Sequence, residues 1–188
     1  MTITPVTYLN LPNALSLSRL LGVPFLFWLL YAGELNTFLG LYVALGLTDF
    51  LDGKAARYLK QESEFGAHLD AAADFVFYLS SAWFFYVLFP HYLGPNMLYL
   101  QLLLGLFFSS IVLSLLKFRR VLFLHTWLSK LGGAAIFIAM IASFFMDTTL
   151  VFRAVILIYA IGFTEVILIY LIHGEVHPDI RSIFRPRF

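Results

Sequence analysis

Six apolar runs of membrane-crossing length follow one another along this chain, and the joins between them are too short to hold more than turns. One crossing takes about 20 predominantly apolar residues, which puts the spans at roughly 14–32, 37–56, 67–89, 95–116, 126–146 and 150–172. Gly33 to Asn36, Lys60 to Glu64, Pro90 to Pro95, Lys117 to His125 and Asp147 to Thr149 form the joins. Of the 188 residues, 61% are hydrophobic and 12% charged, and the mean hydropathy is +0.89. A soluble domain of this length needs a far more polar surface. The expected fold is therefore an all-α integral membrane protein of six transmembrane helices, one membrane domain over residues 1–188. Met1 to Pro12 lacks the basic residues of a signal peptide, so the first run reads as a retained helix.

Basic residues concentrate in cytoplasmic loops. Lys54, Arg57, Lys60, Lys117, Arg119, Arg120, Arg181, Arg185 and Arg187 fall on one side, with Arg19 and Lys130 near the same face, against Arg153 alone on the other. Both termini are then expected to be cytoplasmic. The chain has no cysteine, which rules out disulfides and thiolate metal sites and leaves oxygen or histidine to hold any metal.

Within this apolar background, Asp49, Asp52, Asp70 and Asp74 stand in one stretch of 26 residues. A charge at membrane depth costs on the order of 2.5–3.5 kcal/mol on insertion scales, so four acids imply a compensating partner. Asp49 and Asp52 are three apart and Asp70 and Asp74 four apart, so each pair shares one helix face. In an antiparallel hairpin, Asp52 and Asp70 come to similar depth and Asp49 and Asp74 match one level deeper. Four anionic oxygen donors suit Mg²⁺ or Mn²⁺, which favour substrate phosphate as a further ligand. Gly53, Ala56, Gly66 and Ala71 to Ala73 leave space beside these acids for a ligand or for close helix packing. Arg57 could add a fixed cation to a bound diphosphate.

The stretch Asp49-x2-Asp52-Gly53-x2-Ala56-Arg57-x8-Gly66-x3-Asp70-x3-Asp74 resembles the signature of the CDP-alcohol phosphotransferase family at every fixed position. Pro12-Asn13-x-Leu15-Ser16-x2-Arg19 is similar to the start of the first helix in bacterial members, with Ser16 where threonine is more usual. The resemblance implies transfer of a phosphatidyl group from CDP-diacylglycerol to an alcohol with release of CMP, at the cytoplasmic face of a bacterial inner membrane. It implies two divalent ions held by Asp49, Asp52, Asp70 and Asp74, with Asp70 and Asp74 catalytic and Asp74 as general base. It also implies that Gly53, Ala56, Gly66 and Arg57 surround the CDP moiety. Family members are typically homodimers among membrane lipids, and no nucleic-acid partner is expected.

Acceptors in the family often carry phosphate, for which Lys117, Arg119, Arg120 and Lys130 are the candidate cations; Lys130 lies several residues inside the fifth run. The start of the first helix and the lysine on the fifth resemble bacterial phosphatidylglycerophosphate synthases, favouring glycerol 3-phosphate. Ala71 and Phe75 stand where those enzymes commonly have proline and lysine, so inositol phosphate, serine, phosphatidylglycerol and amino-alcohols stay open. Glu165, inside the sixth run, reads as an interhelical partner, and His125 and Thr126 as a cap on the fifth helix. His68 reads as a surface residue, and the basic tail after Pro178 as a lipid-headgroup contact. The reading from another class is a proton- or cation-coupled transporter, which would need polar groups continuing across the bundle.

Overall fold

The computed structural model describes residues 10–59, 61, 63–120 and 127–172. Six long helices appear, α1 (Leu11–Ala32), α2 (Leu35–Tyr58), α3 (Glu64–Leu88), α4 (Leu93–Phe118), α5 (Trp127–Ala142) and α6 (Thr149–Ile172), with a 3₁₀ turn over Pro90–Tyr92. Their bounds agree with the apolar runs to within three residues, apart from the end of α5. Among the described residues, four segments are long and apolar enough to cross a membrane: Leu11–Ala32, Phe65–Leu88, Pro90–Phe118 and Thr149–Ile172. α2 has the length but carries Asp49, Asp52, Lys54 and Arg57 in its second half. α5 has 16 residues and spans about 24 Å, short of a hydrocarbon core of about 30 Å.

The chain forms two compact units, Met1–Leu88 and Phe89–Phe188. In the first, α1 starts at Asn10, whose side chain accepts the Asn13 N–H at 2.9 Å, an N-cap that satisfies one free donor of the first turn. It stops at Gly33, whose φ of +79° is the left-handed conformation that glycine adopts without strain. The Glu34 N–H returns there to the Leu29 carbonyl at 3.0 Å. Within α1, Pro24 has no N–H to offer the Leu20 carbonyl.

α1 packs against both α2 and α3. At Gly22 a Cβ would lie 2.5 Å from Leu45 Cδ1, so glycine lets the Leu45 side chain of α2 lie against the α1 backbone. α2 and α3 meet through long side chains: Tyr42 stacks on Phe77 at 5.1 Å, Phe38 meets Phe84 edge-on at 5.1 Å, and the Tyr42 hydroxyl bonds Ser81 Oγ at 3.0 Å. The buried face of α1 changes character along its length. Val23, Leu26, Leu29 and Leu30 serve the apolar core, whereas Pro12, Asn13, Ser16 and Arg19 are buried at the other end.

In the second unit, α6 packs against α4 and α5. Gly132 of α5 lies under the Tyr159 ring, where a Cβ would be 2.7 Å from the nearest ring carbon. α5 ends at Ala142, short of the expected 146, where the Phe144 and Phe145 N–H groups bond carbonyls three residues back at 3.2 and 2.9 Å, and the Ser143 hydroxyl lies on the Ala139 carbonyl at 2.7 Å and hydrogen-bonds Thr148 Oγ1. Tyr92 fixes this turn by donating to the Met146 carbonyl at 3.2 Å and accepting the Thr148 N–H at 3.1 Å. Asp147 then accepts the Thr149 N–H and hydroxyl at 2.8 and 2.6 Å, and these bonds hold its carboxyl below the usual range.

Candidate active site

Three helix ends converge in the first unit: the start of α1, the end of α2 and the start of α3. At 1.5 Å per residue, Asp52 and Asp70 lie about 9 Å from their helix ends, Asp49 and Asp74 about 14–15 Å, and Arg19 about 12 Å. The depths match, and the side chains meet. Asp49, Asp70 and Asp74 each offer an oxygen within 4.8 Å of the other two. Asp52 falls outside that triad but joins the cluster through Arg19 and Ser16.

Arg19, from α1, occupies the middle. Its side chain is 0% exposed. One terminal nitrogen meets Asp74 and the other Asp52, while Asp49 and Asp70 oxygens lie 3.4 Å from the guanidinium. Ser16 Oγ is 3.4 Å from Asp52 and 3.5 Å from Asp70, and the Tyr78 hydroxyl donates to Asp49 at 3.0 Å. Among the described residues, Arg19 Nε is a buried nitrogen with no hydrogen-bond partner. Four carboxylates around one guanidinium leave a formal excess of three negative charges when all are ionised. Such an all-oxygen, anionic donor set fits hard divalent cations.

Beside the acids opens a cleft of about 320 Å³, to which α1 contributes Asn13 and Ser16, α2 contributes Asp52, Ala56 and Arg57, and α3 contributes Gly66 and Asp70. That volume is in the range of small-molecule sites. Arg57 is exposed at its rim. A Cβ at Gly66 would stand 2.7 Å from Asn13 Oδ1 and 3.0 Å from Ser63 Oγ, so any side chain there would push these two groups of the cleft aside.

The remaining candidates lie on other elements or outside the described residues. Gly53 lies on α2 and Lys130 on α5, but the side chains of Lys54 and Lys130 and the surroundings of Gly53 lie outside the described residues. So do Lys60, His125, Thr126 and the tail with Arg181, Arg185 and Arg187. Arg119 ends α4 with a φ of +57°, and Arg119 and Arg120 are exposed. Lys117 places its ammonium on the Tyr170 and Leu171 carbonyls at 2.5 and 3.3 Å, which satisfies the free end of α6. Glu165 is half-buried on α6 and His68 exposed on α3.

Arg19, Ser16, Asn13 and Tyr78 were not among the site residues expected from the sequence. Their signal was present for α1: Asn13, Ser16 and Arg19 recur every three residues on what becomes its buried face, and an arginine eight residues into an apolar helix needs anionic company.

The sequence model of the CDP-alcohol phosphatidyltransferase family matches residues 9–167. A cardiolipin synthase (CMP-forming) of Streptomyces coelicolor is 43% identical over 79 residues, 39% of this chain and 37% of that protein. A CDP-diacylglycerol--glycerol-3-phosphate 3-phosphatidyltransferase of Aquifex aeolicus is 44% identical over 69 residues, 37% of this chain and 39% of that protein. The human cardiolipin synthase (CMP-forming) is 41% identical over 75 residues, 38% of this chain and 25% of that protein. The chain thus spans well under half the length of each of these relatives.

Proposed function

The chain belongs to the CDP-alcohol phosphatidyltransferase family, and from that premise we propose that it transfers the phosphatidyl group of CDP-diacylglycerol to a small alcohol and releases CMP. The observation that carries this reading is the convergence of Asp49, Asp52, Asp70 and Asp74 beside an open cleft. These four residues would hold two divalent ions, Mg²⁺ or Mn²⁺, which when bound neutralise the diphosphate and the charge developing on the departing nucleotide.

The chain's own groups supply the rest. Asp74 accepts the proton of the acceptor hydroxyl, whose oxygen forms a bond to the phosphatidyl phosphorus as the bond from that phosphorus to the CMP oxygen breaks. Asp70 orients the same centre, and Arg57 offers the diphosphate a cation from the rim. Gly53, Ala56 and Gly66 give the nucleotide room to lie against the helix backbones. Lys130, Arg119 and Arg120 are the proposed contacts of an acceptor phosphate.

Glycerol 3-phosphate is the proposed acceptor, supported by the name of the Aquifex relative. Phosphatidylglycerol is the second to test, because relatives called cardiolipin synthases match at similar identity. The proposed setting is a bacterial inner membrane, crossed six times by one domain, with both termini and the site on the cytoplasmic side and two copies forming a homodimer. Purified protein in lipid nanodiscs, supplied with CDP-diacylglycerol, Mg²⁺ or Mn²⁺ and a panel of alcohols, tests this by CMP release. Release that needs both metal and glycerol 3-phosphate is expected. Silence with every acceptor, or metal-independent release, overturns the reading.

A further inference from the structure

We propose that Arg19 is the resident counter-cation of the acid cluster, a positioning residue that holds the four carboxylates together across three helices and yields their oxygens when divalent ions bind. This rests on the divalent-ion reading given above. Among the described residues, Arg19 is the one basic side chain in ion-pair reach of Asp49, Asp52, Asp70 and Asp74, and it reaches all four. It is buried, and among the described residues its Nε has no acceptor, so the guanidinium commits its terminal nitrogens to the cluster. Unscreened, four carboxylates this close repel one another strongly at low dielectric. Among the described residues, Arg19 is the cation that offsets this repulsion.

The same placement sets up a competition. The Asp74 and Asp52 oxygens that meet the guanidinium are oxygens a divalent ion would take, so metal binding is an exchange of cations, and its apparent affinity is lowered by the strength of the arginine's hold. Replacing Arg19 by a neutral side chain should therefore tighten metal binding while loosening the metal-free fold. A residue that only packs α1 would not show that pair of opposite effects.

The test uses the full chain in detergent micelles, with Mn²⁺ binding followed by electron paramagnetic resonance and thermal unfolding followed with and without saturating Mn²⁺. Arg19→Gln is expected to bind Mn²⁺ about tenfold more tightly than the parent, an ordinary size for coupling between two binding events. Its midpoint should fall without metal and recover towards the parent value with metal. Arg19→Lys keeps the charge without the fork that spans four carboxylates, and should bind Mn²⁺ a few times more tightly; it carries the test if Arg19→Gln does not fold. Mn²⁺ affinity unchanged or weaker in the variants, while the parent binds Mn²⁺ and Asp70→Asn does not, overturns this inference and leaves the divalent-ion reading standing. A parent that binds no Mn²⁺ overturns both.

Discussion

Asp70 and Asp74 sit one helical turn apart on α3, both half-buried and both in reach of Arg19. Asp74→Asn keeps the shape of the side chain and removes its ability to take a proton, so CMP release should fall by about 10²-fold or more, the usual worth of a positioned general base. Asp70→Asn should abolish both CMP release and Mn²⁺ binding, the latter read by electron paramagnetic resonance. Gly66→Ala acts on the neighbouring cleft, because its new methyl group would meet Asn13 Oδ1 at 2.7 Å. The expected outcome is a raised KM for CDP-diacylglycerol with Mn²⁺ affinity kept, measured by initial rates at varied donor. The pairing of the aspartates is legible in the sequence, because three- and four-residue intervals set a helix face by themselves. The role of Arg19 is not, because its partners lie 30 to 55 residues away and no local interval reports them.

At the scale of helices, apolar length located all six elements, while their ends depended on contacts that sequence proximity does not carry. α5 stops at Ala142 through a turn fastened by Tyr92, 54 residues before Met146. By sequence Lys117 is one of the candidate acceptor cations, and no local interval reports the final carbonyls of α6 that lie against its ammonium. The start of α6 depends in turn on Asn96, which is 0% exposed. It donates to the Tyr92 carbonyl at 2.9 Å and to the Thr149 carbonyl at 3.4 Å, and accepts from Arg153 Nε at 3.0 Å. Asn96→Ala leaves Arg153 Nε without that acceptor, and a loss of about 1–3 kcal/mol is expected, measured by unfolding in detergent. CMP release at temperatures where the variant stays folded should be unchanged.

For the molecule as a whole, the absence of cysteine allows the proposed orientation to be tested with single introduced thiols. Tyr58→Cys, at the exposed end of α2, and Glu34→Cys, at the exposed turn between α1 and α2, should react with a membrane-impermeant maleimide from opposite sides of the bilayer, Tyr58→Cys from the cytoplasmic side. Labelling of both from one side would refute the proposed crossing of α2. The four acids, Arg19 and the cleft all belong to the first of the two compact units. Within that unit, Pro24 leaves the hydrogen-bond ladder of α1 a rung short, one turn beyond Arg19. The missing bond falls where the two characters of α1 meet: on one side the polar end that carries the arginine to the acids, on the other the leucines that root the helix in the apolar core.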